Sequence, residues 1–171
     1  MAKNHVRIRK ITLIGVLCAL CIVLRIIKLP VPNVQPVTDI LMIVTLTMGV
    51  RYGFLLATLT MVLSNIILGF GIWTLPQIAA YMVCILTIAA FKWLLPLEHW
   101  FWLQLLLCTL LGFEYGLVVS LGMAVIGSAP AFLAYYLSGL LFDLAHAIGN
   151  FVFYPLLKPP LTKALKRYML T

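Results

Sequence analysis

Apolar residues fall along this chain in six blocks, parted by short stretches where charge, glycine or proline collects. Long apolar blocks of this kind predict membrane-spanning helices. Spans are expected at about 11–29, 38–50, 53–69, 76–93, 100–126 and 131–157. Lys3, Arg7, Arg9 and Lys10 precede the first block in the manner of a signal peptide. No small-residue cleavage site follows, and Arg25 and Lys28 come instead, so the block is expected to stay as an uncleaved helix. Pro30, Pro32 and Pro36 forbid helix through 29–37. Arg51-Tyr52-Gly53 predicts a tight turn, and 69–74 a glycine-rich one, after which Pro76 suits the first turn of the fourth helix. Residues 92–99, with Pro96, form a polar break. Gly127-Ser128-Ala129-Pro130 turns the chain into the last block, which ends near Leu157 in a basic tail. The second block is the weakest span, because about 13 residues are short for a crossing.

Composition narrows the class. Of 171 residues, 64% are hydrophobic and only 9% charged. That is too little charge to cover a water-facing surface, so a soluble enzyme, a disordered chain and a fibrous repeat are excluded. Six spans at roughly 20 residues each take about 120 residues and leave only ends and loops. The expectation is an all-α integral membrane protein with one transmembrane domain over 1–171 and six transmembrane helices.

Charge sets the orientation. With the N-terminus inside, the inner segments hold Lys3, Arg7, Arg9, Lys10, Arg51, Lys92, Lys158, Lys163, Lys166 and Arg167, ten of the 12 basic residues. The outer loops at 70–75 and 127–130 hold none. This bias predicts both termini on the cytoplasmic side. The net charge of +8 then reads as anchoring against anionic lipid rather than as a nucleic-acid surface.

Polar groups at membrane depth need a reason. Asp39, at the outer start of the second helix, can cap it and pair with Arg25 or Lys28, or serve a ligand. Glu114 lies 14 residues past Trp100, about 21 Å along the fifth helix. Asp143, His146 and Asn150 share one face of the sixth. They read either as an interhelical hydrogen-bond stripe, or as a proton relay or the floor of a site. Asn65, Trp73, Gln77 and Tyr81 gather near the outer ends of the third and fourth helices, with Tyr115, Tyr135 and Tyr136 at outer to middle depth. Aromatic residues there can be a plain interfacial belt. Asn and Gln are not belt residues, and their clustering beside glycine- and proline-rich loops points to a pocket open to the outside.

Other chemistry is missing. No G-x-x-x-x-G-K-[ST] loop is present, so the chain has no such cradle for ATP. There is no H-E-x-x-H and no G-x-S-x-G. Cys18 and Cys21 form C-x-x-C without a second ligand pair, so Cys18, Cys21, Cys84 and Cys108 read as buried thiols and no metal is expected. Gly15 and Ala19 make a small-xxx-small pair that serves either internal packing or a partner helix.

Gly15-Val-Leu-Cys-Ala19-Leu-Cys-Ile-Val-Leu-Arg25 resembles the first helix of S-components, the substrate-binding subunits of energy-coupling factor (ECF) vitamin transporters. So do Pro32-Asn33-Val34-Gln35-Pro36-Val37-Thr38, Ser64-Asn65-x3-Gly69-Phe70-Gly71-x-Trp73-Thr74-x2-Gln77 and Asp143-x-x-His146-x-x-x-Asn150, so the likeness covers nearly the whole chain. It implies a multi-pass protein of the bacterial cell membrane, not an enzyme. Such a subunit captures a vitamin outside and then tips over against a shared transmembrane coupling subunit with two ATPase subunits. ATP is used by those partners, and this chain carries no cofactor of its own. Gly15 and Ala19 map onto the family's docking motif, with Gly where Ala is more usual. Asn33, Gln35, Asn65, Trp73, Gln77 and Tyr81 fall where the family's pocket lies, and Glu114 and Tyr135 complete the expected substrate-binding set. The loop text is most similar to cobalamin-type subunits, with pantothenate-type subunits next. Two other classes compete. A small membrane enzyme would have to rely on Asp143 and His146, and a proton-coupled carrier would show inverted repeats, which the sequence lacks.

Overall fold

The computed structural model describes residues 2–27, 33–127 and 131–170, with side chains over 8–27, 33–127 and 132–169. The described residues form six helices and no strand: α1 (Ala2–Ile26), α2 (Val37–Met48), α3 (Val50–Leu68), α4 (Thr74–Leu94), α5 (Phe101–Ile126) and α6 (Ala131–Leu170). Four of them, α3 to α6, are long and apolar enough to cross a membrane.

The sequence placed all six helices, and the differences lie at their ends. The basic segment before Ile11 is helical, so α1 begins at Ala2. The reversal between α2 and α3 is not at 51–53. It is the single residue Gly49, at φ 99°, whose N–H donates to Thr45 O at 3.0 Å. Only glycine adopts that backbone freely. Arg51, Tyr52 and Gly53 form the first turn of α3 instead. There Gly53 is needed for closeness, because a Cβ would collide with Thr45 Oγ1. Nor does the last helix stop at Leu157. It runs through Pro155, Pro159 and Pro160 to Leu170. Each proline removes a backbone bond to the carbonyl four residues earlier, yet buried Leu165 still anchors the extension. At 40 residues α6 is about 60 Å long, twice the hydrocarbon thickness of a bilayer.

α2 is the core element. At 12 residues it spans only about 18 Å, but Val37 to Thr45 are all buried, against α3, α4, α5 and α6. A helix apolar all round belongs in such a place. α1 shows one face to this core: Ile14, Leu17, Cys18, Cys21 and Arg25, spaced three and four apart, are buried. The tightest helix pair is α5 with α6. A Cβ on Gly112 would sit 2.7 Å from Ala147 N and 2.8 Å from Ala147 Cα.

Candidate functional site

The ends of α1, α3 and α4 meet at a buried polar hub. Arg25, in the last turn of α1, donates from Nη1 to Ser64 Oγ and, at 3.1 Å, to Asn65 Oδ1. The Asn65 amide in turn donates to Thr74 Oγ1 at 3.0 Å and Gln77 Oε1 at 2.9 Å. Arg25, Ser64, Asn65 and Thr74 are all buried. Asn65 and Gln77, marked by the sequence as pocket residues, are thus direct neighbours. Asn65 has both donors and its carbonyl engaged. Gln77 Nε2 has no partner among the described residues and its side chain is half-buried, which leaves it the open amide of the hub. Gly69, at φ 109°, ends α3, and the short turn to α4 is what sets Asn65 beside Thr74.

An aromatic column leads inward from this hub. The Tyr81 and Tyr115 rings are 4.5 Å apart between centroids, and Tyr115 meets His146 edge-on at 5.3 Å. Tyr81 lies close to Thr38 and in the field of Arg25. His146 Nε2 bonds Thr38 Oγ1 at 2.7 Å, tying α6 to α2. Asn150 Nδ2 donates to Cys108 O at 2.8 Å, tying α6 to α5. Asp143 fills the space left by the missing side chain of Gly116. Two members of the α6 stripe thus bond across helices, while His146 Nδ1 and Asn150 Oδ1 are buried without a partner among the described residues.

The remaining residues scatter around this axis. Gln35 Nε2 donates to Arg25 O at 3.4 Å, and Asn33 Nδ2 to Phe142 O at 3.0 Å, so the stretch before α2 lies across the end of α1 and against α6. Trp73 is exposed, its ring folded over Gly71, where a Cβ would come within 2.5 Å. Glu114 faces α4, accepting from Thr87 Oγ1 at 2.6 Å, with Oε2 buried and unpartnered. Tyr135 is exposed on α6, away from the hub network. Asp39 departs from both roles expected of a helix start. The cap of α2 is Pro36 without a side-chain bond, and no ion pair joins Asp39 to Arg25. Lys28 lies outside the described residues. Asp39 is instead fully buried and accepts from Cys108 Sγ of α5 at 3.4 Å.

Gly15 and Ala19 face outward on α1, and nothing lies within 4 Å of a Cβ built on Gly15. Among the described residues, neither serves internal packing. All four cysteines are buried free thiols. Sequence reasoning missed Gln104 and Tyr154. Both are buried, and Tyr154 Oη donates to Gln104 Oε1 at 2.7 Å while Gln104 Nε2 donates to Leu97 O at 2.5 Å. A glutamine inside an apolar block is itself the signal, by the rule applied to Asn65. These two help line a cavity of about 350 Å³ at the opposite end of the bundle, with Lys158, Thr162 and Lys166 from the extension of α6.

Residues 9–158 match the model of the family described as ECF transporter, substrate-specific component. No curated protein and no solved structure matches the chain.

Proposed function

The chain belongs to the substrate-specific components of ECF transporters, and from that premise we propose that it captures a vitamin outside the cell, cobalamin first, and hands it to the shared ATP-driven module. Its family makes it a substrate-binding transport subunit, not an enzyme, that works with an ECF transmembrane and ATPase module. With its long apolar helices it is a multi-pass membrane protein. In the proposed arrangement all six helices cross a bacterial cell membrane, α2 as a short central span, with both termini inside. The gathering of basic residues at the other end of the bundle from the hub supports that orientation.

The observation that carries the reading is the hub. In a chain with 9% charged residues, a connected set of polar side chains from Arg25 to Gln77 is held where three helix ends meet. Such groups are costly at membrane depth and usually mark a substrate path. The loop text from Pro32 to Thr38 and from Gly69 to Gln77 supports cobalamin. Pantothenate is the second reading, favoured by the buried cation Arg25, since that vitamin carries a carboxylate.

Mass spectrometry of small molecules retained by the detergent-purified chain tests the proposal, and retained cobalamin is the expected result. Another vitamin would keep the capture role and change its ligand. No retained vitamin and no saturable binding of any would overturn the reading.

A further inference from the structure

The charge balance around Arg25 deepens the capture reading, on which it rests. The whole sequence holds four acids, Asp39, Glu98, Glu114 and Asp143. Each lies elsewhere: Asp39 against Cys108, Glu98 on Lys92 at 2.6 Å, Glu114 on Thr87, and Asp143 beside Gly116 of α5. Among the described residues no ion pair joins any of them to Arg25. The undescribed residues 28–32 and 128–130 contain no acid either. Arg25 is only 8% exposed, and its side-chain partners, Ser64 and Asn65, are neutral acceptors.

A guanidinium cannot shed its charge. Buried without a counter-charge it is among the costlier arrangements in a protein, and more so at membrane depth. The carbonyl end of α1 supplies about half a negative charge, because Arg25 sits in its last turn. The remainder is uncompensated. A side chain needed only to hold α1 to α3 could do so with a neutral amide at far less expense. From this we infer that Arg25 is the counter-ion for an anionic oxygen pair on the captured ligand, a carboxylate or a phosphodiester, to which the planar guanidinium fork donates in bidentate fashion.

The surroundings fit such a ligand. The field of Arg25 reaches Tyr81 and Tyr115. Their buried rings, tilted at 45° to each other, form the apolar floor on the inner side of the hub, while the anionic end of the ligand lies against Arg25 and the open Gln77 amide. The stretch from Asn33 to Gln35 closes the same end through its bonds to Phe142 O and Arg25 O. Entry of the ligand requires those two bonds to open. Either favoured vitamin supplies the chemistry: pantothenate ends in a carboxylate, and cobalamin carries a phosphodiester.

Matched ligand pairs test the pairing. Binding to the purified full chain is measured by calorimetry for pantothenate against pantothenol, its alcohol, and for cobalamin against cobinamide, which lacks the phosphodiester. The comparison is repeated with Arg25→Met and Arg25→Lys. The wild type should prefer the anionic member of one pair by roughly 10- to 100-fold, the scale of a charge-assisted hydrogen bond. Arg25→Met should bring that preference close to unity, and Arg25→Lys, which keeps the charge and loses the fork, should keep only part of it. The wild-type comparison stands even if a variant fails to fold. Equal wild-type affinity for both members of the bound pair, or an unchanged preference in Arg25→Met, overturns the pairing and leaves vitamin capture intact. Binding of neither pair overturns capture of both vitamins, and the pairing with it.

Discussion

A side chain on Gly112 of α5 would lie 2.7 Å from the backbone nitrogen of Ala147 on α6. Backbone atoms in the middle of two packed helices have little room to yield, so the glycine sets how closely α5 and α6 approach. Gly112→Ala should therefore push the pair apart and destabilise the chain by about 1–3 kcal/mol. The neighbouring site differs in kind. At Gly116 the obstacle is the Asp143 side chain, which can swing aside, so Gly116→Ala should cost less. Thermal unfolding in detergent would rank the two, and the reverse order would show that the helix backbones are not in contact at Gly112.

Docking is expected on the opposite flank. Gly15 and Ala19 face away from the bundle, and a Cβ at Gly15 meets nothing within 4 Å among the described residues. Gly15→Leu or Ala19→Leu should leave folding and vitamin binding as they are while abolishing uptake by cells that also carry the coupling module. Normal transport by both variants would place the partner on another face.

Pocket residues should divide by end of the bundle. Gln77→Ala removes the open amide and one partner of Asn65. Leaving a ligand amide unpaired costs about 1–3 kcal/mol, or roughly 5- to 150-fold in affinity. Trp73→Ala should lose at least as much through contact area, provided its exposed ring turns from Gly71 onto the ligand. Trp100, at the far end before α5, is the contrast, and Trp100→Ala should bind as the wild type does. Calorimetry on the four proteins decides, and four equal affinities would move the pocket away from this end.

Energy is expected from outside the chain. The sequence has no phosphate-cradling loop, so in liposomes the purified protein alone should neither hydrolyse ATP nor accumulate vitamin. Adding the transmembrane and ATPase subunits should switch on both. Accumulation driven by ATP without them would contradict a division of labour between capture and energy.

The positions of all six helices were legible from residues alone, because membrane helices announce themselves through apolar runs that need no tertiary partner to be recognised. Proline and glycine marked most of the breaks for an equally local reason. The same rule failed at Gly49 and at Pro159-Pro160. Three candidate turn residues stood close together at 51–53, and only the packing of Gly53 on Thr45 shows that the reversal belongs to Gly49. Prolines end most helices, but a buried Leu165 keeps this one going.

The site was legible as a set of residue types and not as a set of bonds. Asn65 and Gln77 could be flagged because amides are expensive in an apolar setting, wherever they point. Their joining to Arg25 could not, since it depends on the end of α1 meeting the turn between α3 and α4, 40 residues further on. Asp39 shows the converse: it was the natural partner for Arg25 by proximity in sequence, yet the depth of α2 in the core turns it toward Cys108. The sequence by itself determined a six-helix apolar chain and the residue types available for recognition, since both follow from the preference of each side chain for hydrocarbon or water. Only the tertiary structure decided that Arg25 has no acid opposite it, because a counter-charge is a matter of distance between helices and not of order along the chain.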